Sequence, residues 1–150
     1  MYEWRKMSQF QRDDVLKLRK QSCQPWHSPP HYNSGGPLFY HLSAACYKHR
    51  PIIGESPARM AEFENGLLKA LEVPGDEIRV WCILPNHWHA LIRTDDLKDL
   101  VRRIGRLHGR CSHAWNGEDG QRGRQCWRGC ADRRIRNQAH YYATINYIHN

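Results

Sequence analysis

His87 and His89 stand two residues apart in the stretch Val80-Trp-Cys-Ile-Leu-Pro-Asn-His-Trp-His-Ala-Leu-Ile92. The stretch reads as two short apolar strands folded back on each other at Pro85-Asn86. Side chains alternate along a strand, so both imidazoles project to one face while Trp88 and Ala90 project to the other. Two imidazoles a few ångströms apart on a rigid strand are half of a metal site, and by ligand preference they favour zinc over magnesium. The alternative is a pair of structural histidines without a metal, in a chain that carries ten. Metallo-hydrolases also use His-x-His, but with carboxylates and further histidines close by; here Ala90-Leu91-Ile92 follows. A second chemical group lies near the far end, at Tyr147. Its phenol has a reference pKa of about 10, so a nucleophilic role needs a neighbouring cation or base.

The elements that must position these groups follow from periodicity. Leu38–Tyr47 predicts a first strand with Tyr40, Leu42, Ala44 and Cys46 on one face. His41 falls on the opposite face with Phe39 and Ser43, and as a lone histidine it reads as structural rather than as a ligand. Ser56-Pro57 opens a helix, serine as cap and proline at the first helical position, with Met60, Phe63, Leu67, Leu68 and Leu71 at helical spacing. Pro74-Gly75 ends it, and strands at Ile78–Leu84 and His87–Arg93 come next. Thr94 or Asp95 caps a second helix, whose stripe is Leu97, Leu100, Val101, Ile104, Leu107, Cys111 and Trp115. After the loop from Asn116 to Gly123, Gln125–Arg136 predicts a basic strand. Asn137 caps a last helix with Tyr141, Ile145 and Ile148 as its buried stripe. At 100° per residue Tyr147 turns away from that stripe, grouped with His140, Ala143 and Thr144, and is available to a cleft. Strand, helix, strand, strand, helix, strand is the order of an α+β, ferredoxin-like antiparallel sheet with helices packed on one face.

Residues 1–36 read as an appendage. Ser8 caps a short helix with Phe10, Val15, Leu16 and Leu18 on one side and Arg12, Lys17, Arg19 and Lys20 on the other. Four prolines and two glycines between Gln24 and Pro37 predict an extended loop. No apolar run reaches the roughly 18 residues a membrane-spanning helix needs, and the first residues lack a signal-peptide core, so a cytoplasmic protein without membrane contact is expected. The six cysteines are scattered, and Cys126 and Cys130 have no second pair at zinc-finger spacing, which favours reduced thiols over a structural zinc site.

The net charge of +8 is uneven. Residues 101–150 hold ten Arg, no Lys, and only Glu118, Asp119 and Asp132 as acids. Arg favours bidentate contact with phosphate and stacks on bases, so this half is either an electrostatic footprint for nucleic acid or a solvated basic surface. Arg102, Arg106 and Arg110 form a row at i, i+4, i+8; with Arg128, Arg133 and Arg134 they are the candidate DNA-phosphate contacts.

Leu84-Pro-Asn-His-Trp-His-Ala-Leu-Ile92, followed by a basic helix and then by Asn146-Tyr-Ile-His-Asn150, resembles the HUH single-tyrosine transposases, and within them the REP-associated tyrosine transposases. The resemblance runs from about Leu38 to the last residue; its two motifs are specific together and weak apart. It implies the HUH endonuclease fold for residues 37–150. It also implies a site in which His87 and His89 hold Mg²⁺ or Mn²⁺ and Tyr147 attacks a phosphate of single-stranded, hairpin DNA. The attack leaves a 5′-phosphotyrosyl link, which a 3′-hydroxyl can later reverse, so that DNA is nicked and rejoined. In the family a third ligand lies one turn after the tyrosine. Four positions on from Tyr147 falls beyond Asn150, so the domain is expected to stop short at its C-terminus, with Asn150 as the substitute ligand. The rivals are a degenerate hairpin-binding protein without chemistry and a zinc-dependent hydrolase acting through water. A monomer and a homodimer are both compatible with the sequence.

Overall fold

Pro85-Asn86 is a two-residue turn: Leu84 and His87 pair across it, and the strands on either side run antiparallel as β2 (Glu77–Leu84) and β3 (His87–Thr94). A computed structural model of the chain describes residues 8–21 and 38–150. The Pro-rich loop expected from Gln24 to Pro37, and the boundary at residue 36, lie outside the described residues. The chain divides into two units, Met1–Pro30 and His31–Asn150. In the first, helix α1 (Gln9–Gln21) starts as its serine predicts, with Gln11 N donating to Ser8 Oγ at 3.3 Å.

In the second unit β1 (Leu38–Cys46) lies between β3 and β4 (Trp127–Arg134), antiparallel to both, and the sheet order is β2-β3-β1-β4. That is the order of the ferredoxin-like sheet expected from the sequence. Helices α2 (Pro57–Leu71) and α3 (Leu97–Glu118) connect its halves. The even-numbered side chains of β1 and β3, Tyr40, Leu42, Ala44, Trp88, Ala90 and Ile92, form one core with Phe63, Leu67 and Leu71 of α2 and Leu100, Ile104 and Leu107 of α3. Both helices thus cover one face of the sheet.

The last helix, α4 (Gln138–His149), packs on the other face. There Ile148 joins Val80 and Leu91, with Phe39, Cys82, Tyr141 and Ile145 around them. Its buried positions are Thr144 and Ile148, whereas Tyr141 and Ile145 are only half covered. The three positions of the expected stripe face the sheet, but Thr144, expected on the open side with Tyr147, is also inside, with its Oγ1 donating to His140 O.

The helix starts follow sequence chemistry. Ser56 Oγ accepts from Arg59 N at 3.1 Å with Pro57 at the first turn, and Asn137 Oδ1 accepts from His140 N at 2.8 Å. The cap of α3 is Asp96, one or two residues beyond the expected Thr94 or Asp95; its Oδ1 accepts from Asp99 N at 2.9 Å, while Thr94 is buried at the end of β3. Two glycines are fixed by geometry. A Cβ on Gly54 would sit 2.4 Å from Pro85 Cβ, so only glycine lets the segment before α2 lie against the Pro85-Asn86 turn. Gly129, at φ +138°, takes the extra residue where the β1–β4 register slips between Ala44 and Cys46. Among the described residues Cys46, Cys82, Cys111, Cys126 and Cys130 are free thiols, and no described helix is long and apolar enough to cross a membrane.

Candidate metal and tyrosine site

The sheet face that carries α4 also carries the two histidines. Alternation along β3 sends Trp88 into the core, fully buried, and His87 and His89 to the opposite side, half-buried with ring centroids 5.0 Å apart. The β1–β3 register sets Ser43 opposite His89 and His41 opposite Leu91, which brings His41 into the same cluster. Its Nε2 lies 3.1 Å from His89 Nδ1. Tyr147, on α4, completes the group: its ring centroid is 5.3 Å from that of His89 and 5.9 Å from that of His41, both edge-on. Tyr147 is 62% exposed, so the phenol is open to solvent.

Hydrogen bonds define which nitrogens are available. Asn86 Nδ2 donates to His49 O at 3.2 Å, which turns Asn86 Oδ1 toward His87 Nδ1 at 2.6 Å. An amide oxygen only accepts, so His87 carries its proton on Nδ1 and keeps a lone pair on Nε2. Burial pushes His89 down to about 4, with His41 and His87 adding to the effect. Burial also lowers His87, and it lowers His41 together with the positive charges of Arg133 and His140. All three rings are neutral at neutral pH, the form in which imidazole binds metals. The donor set therefore fits a divalent ion at His87 and His89 as far as two imidazole nitrogens go. Among the described residues no group of three or more His, Cys, Asp and Glu side chains is arranged to hold a metal.

The remaining expected residues divide. Asn150 is exposed and its Nδ2 donates to Asn146 O at 2.9 Å, so its side chain is turned back on its own helix. Arg133 pairs with His41 across β1 and β4 and lies on the site face, near enough for its charge to lower His41. Arg134 pairs with Tyr40 and so belongs to the other face of this edge strand, and Arg128 is exposed beside the Gly129 bulge. Arg102, Arg106 and Arg110 are exposed on α3, the helix on the opposite face of the sheet, and Arg102 is paired with Asp99. The row and the His pair do not share a surface.

His41, read as structural from the sequence, and Asn86, read only as a turn residue, are the two neighbours of the histidine pair whose contacts sequence reasoning missed. Alternation already placed His41 off the core face. What was lacking was the register that sets β1 beside β3.

The four-stranded antiparallel sheet with helices is an α+β fold shared with two solved transposase structures. A REP-associated tyrosine transposase bound to a REP hairpin aligns over 82% of this chain and 70% of its own, at 17% identity and a TM-score of 0.59. A crystal structure of a candidate transposase from Deinococcus radiodurans aligns over 81% of this chain and 95% of its own, at 16% identity and a TM-score of 0.51. No family model matches the chain, and no curated protein matches it.

Proposed function

We propose that this chain is a transposase-like protein that nicks and rejoins single-stranded hairpin DNA through Tyr147, with Mg²⁺ or Mn²⁺ held by His87 and His89. The observation that carries the reading is the convergence of an exposed phenol with two neutral imidazoles from a different element, 5.3 Å between the Tyr147 and His89 rings. The likeness of fold to a transposase solved with a REP hairpin supports the choice of DNA.

A divalent ion, when bound there, supplies a Lewis acid for a non-bridging phosphate oxygen and offsets developing charge. The rest falls to the chain. His87, whose Nδ1 is bound to Asn86 Oδ1, offers its Nε2 lone pair, and His89 lies beside it on the same side of the sheet. Tyr147 Oη attacks phosphorus in line as its proton passes to water; the O–P bond forms, the P–O3′ bond breaks, and the leaving 3′ oxygen takes up a proton. The link formed is a 5′-phosphotyrosyl ester, so a 3′-hydroxyl can run the same exchange backwards. Arg133, on the same face, is the arginine best placed to meet a phosphate.

The test is a denaturing gel of the chain mixed with labelled hairpin single strands and Mn²⁺ or Mg²⁺. A protein–DNA band that resists denaturant, requires metal and disappears in Tyr147→Phe is the expected result. Native-gel binding without that band would instead identify a hairpin-binding protein without chemistry. The specific observation on that side is Asn150, whose amide is turned to its own helix. Turnover that survives Tyr147→Phe and is lost in His89→Ala would point to a hydrolase acting through water.

A further inference from the structure

We infer that His41 is a positioning residue that selects the metal-binding nitrogen of His89 and seats Tyr147 beside it; this rests on the metal reading above. His41 Nε2 and His89 Nδ1 are 3.1 Å apart, and one of them must donate to the other. If His89 Nδ1 carries the proton, His89 keeps its Nε2 lone pair for a metal and His41 Nε2 is the acceptor. If His41 donates, the proton of neutral His89 sits on Nε2 and no metal can bind there. The first arrangement makes His89 the counterpart of His87, whose Nδ1 is bound to Asn86 Oδ1. Partners of this kind on the far nitrogen of a ligand orient the ring and raise its basicity.

His41 has a second contact that Asn86 lacks. Its ring meets Tyr147 edge-on at 5.9 Å, so one side chain from β1 touches both a β3 ligand and an α4 nucleophile. Tyr147 also meets His89 directly at 5.3 Å, and Ile148 packs on Val80 of β2 and Leu91 of β3. His41 therefore links the position of the phenol to the orientation of the ligand.

The experiment uses the full chain with two substitutions. His41→Phe keeps a ring but removes the acceptor, whereas His41→Gln offers Oε1 near the former Nε2. Mn²⁺ affinity is measured without DNA by the electron paramagnetic resonance of free Mn²⁺, and adduct yield is measured at saturating Mn²⁺. The ring ¹⁵N shifts of His89 are recorded on the metal-free protein. We expect His41→Phe to weaken Mn²⁺ binding about tenfold or more and His41→Gln to restore it to within about threefold. The ¹⁵N shifts should place the His89 proton on Nδ1 in the parent and on Nε2 in His41→Phe. Parent-like affinity and an unchanged tautomer in His41→Phe would overturn the inference and leave the metal reading intact. No Mn²⁺ binding by the parent chain, with or without hairpin DNA, would overturn both. Unfolding would also release His89 to the Nε2–H form that histidine prefers in water, so the shift is read on a His41→Phe chain with the parent's circular-dichroism spectrum, and His41→Gln should return the proton to Nδ1.

Discussion

Three histidines with different neighbours show how the same side chain takes different roles here. His87 and His89 point to the open face and are neutral, and their Nε2 atoms are the lone pairs the proposed chemistry uses. Tyr147→Phe removes one exposed hydroxyl; stability should change by less than about 0.5 kcal/mol in urea melts while the covalent adduct falls below detection. His108 belongs to the core instead. It is 7% exposed, stacks on Trp127 at 3.9 Å, and its Nε2 accepts from Trp88 Nε1 at 3.1 Å, so it must be unprotonated there. Burial holds it at about 4, below the ordinary 6.5. The unfolded chain therefore takes up a proton that the folded chain refuses, and stability is full above pH 6.5 and falls as pH drops toward 4. For His108 the loss amounts to at most about 3 kcal/mol. His108→Gln, which keeps an acceptor for Trp88 but does not titrate, should flatten the fall in melts between pH 7 and 4.5; an unchanged slope would assign it to the other histidines.

Among the elements, the turn that launches β3 is held by the short 3-10 helix Ile53–Glu55 and by the last residue of β1. Gly54 N donates to Pro85 O at 2.9 Å, and Cys46 N donates to Asn86 O at 2.8 Å, so the residues before His87 are tied to two other parts of the chain. A methyl group on Gly54 would collide with Pro85 Cβ and Cα, at 2.4 and 2.8 Å. Overpacking of this kind costs about 1–3 kcal/mol, and Gly54→Ala should lower the urea midpoint by a corresponding amount. It should also weaken Mn²⁺ binding, because relief of the collision displaces the turn that sets Asn86 and His87. Ser56→Ala, two residues away, removes only the cap of α2 and should cost about 1 kcal/mol with no effect on metal affinity. The contrast between these neighbours separates a positional effect from plain loss of stability.

In the molecule as a whole, the sheet divides the labour. One face is filled by α2 and α3, whose ends are joined by Arg59, 7% exposed, to Asp119 at 2.5 Å and Glu118 at 2.9 Å. The Arg59 guanidinium holds Asp119 down to about 2. The other face carries the histidines, Tyr147 and Arg133. Charge and spacing singled out six arginines of the last third as candidates for DNA, but position ranks them. Arg133→Gln should lower hairpin affinity and reduce the slope of log K against log salt by about 1. Replacing Arg102, Arg106 and Arg110 together should change adduct yield less than Arg133→Gln alone, since that row lies on the outer side of α3. Anisotropy titrations at several KCl concentrations, alongside adduct gels, check both; a larger effect from the α3 row would move the DNA path across the sheet.

Local chemistry was legible in the residues. Alternation, caps and turns predicted the four strands and the helices, and through their order the ferredoxin-like sheet, because these signals act within a few positions. The faces of β1 and β3 followed as well, so the exposure of His87 and His89 away from the core was readable from one strand. The sequence did not show placements that a partner distant in sequence decides. Thr144 is buried because α4 packs on the β2–β3 face, which the periodicity of a single helix does not encode. The arginine row on α3 is separated from the histidines because a sheet stands between them, although spacing and charge gave it the same standing as Arg133. His41 looked solitary because its partner lies 48 residues away. Strand register brought the two rings together, and register is a property of the paired sheet, set by the whole core that buries Trp88 and Leu42 on its other side.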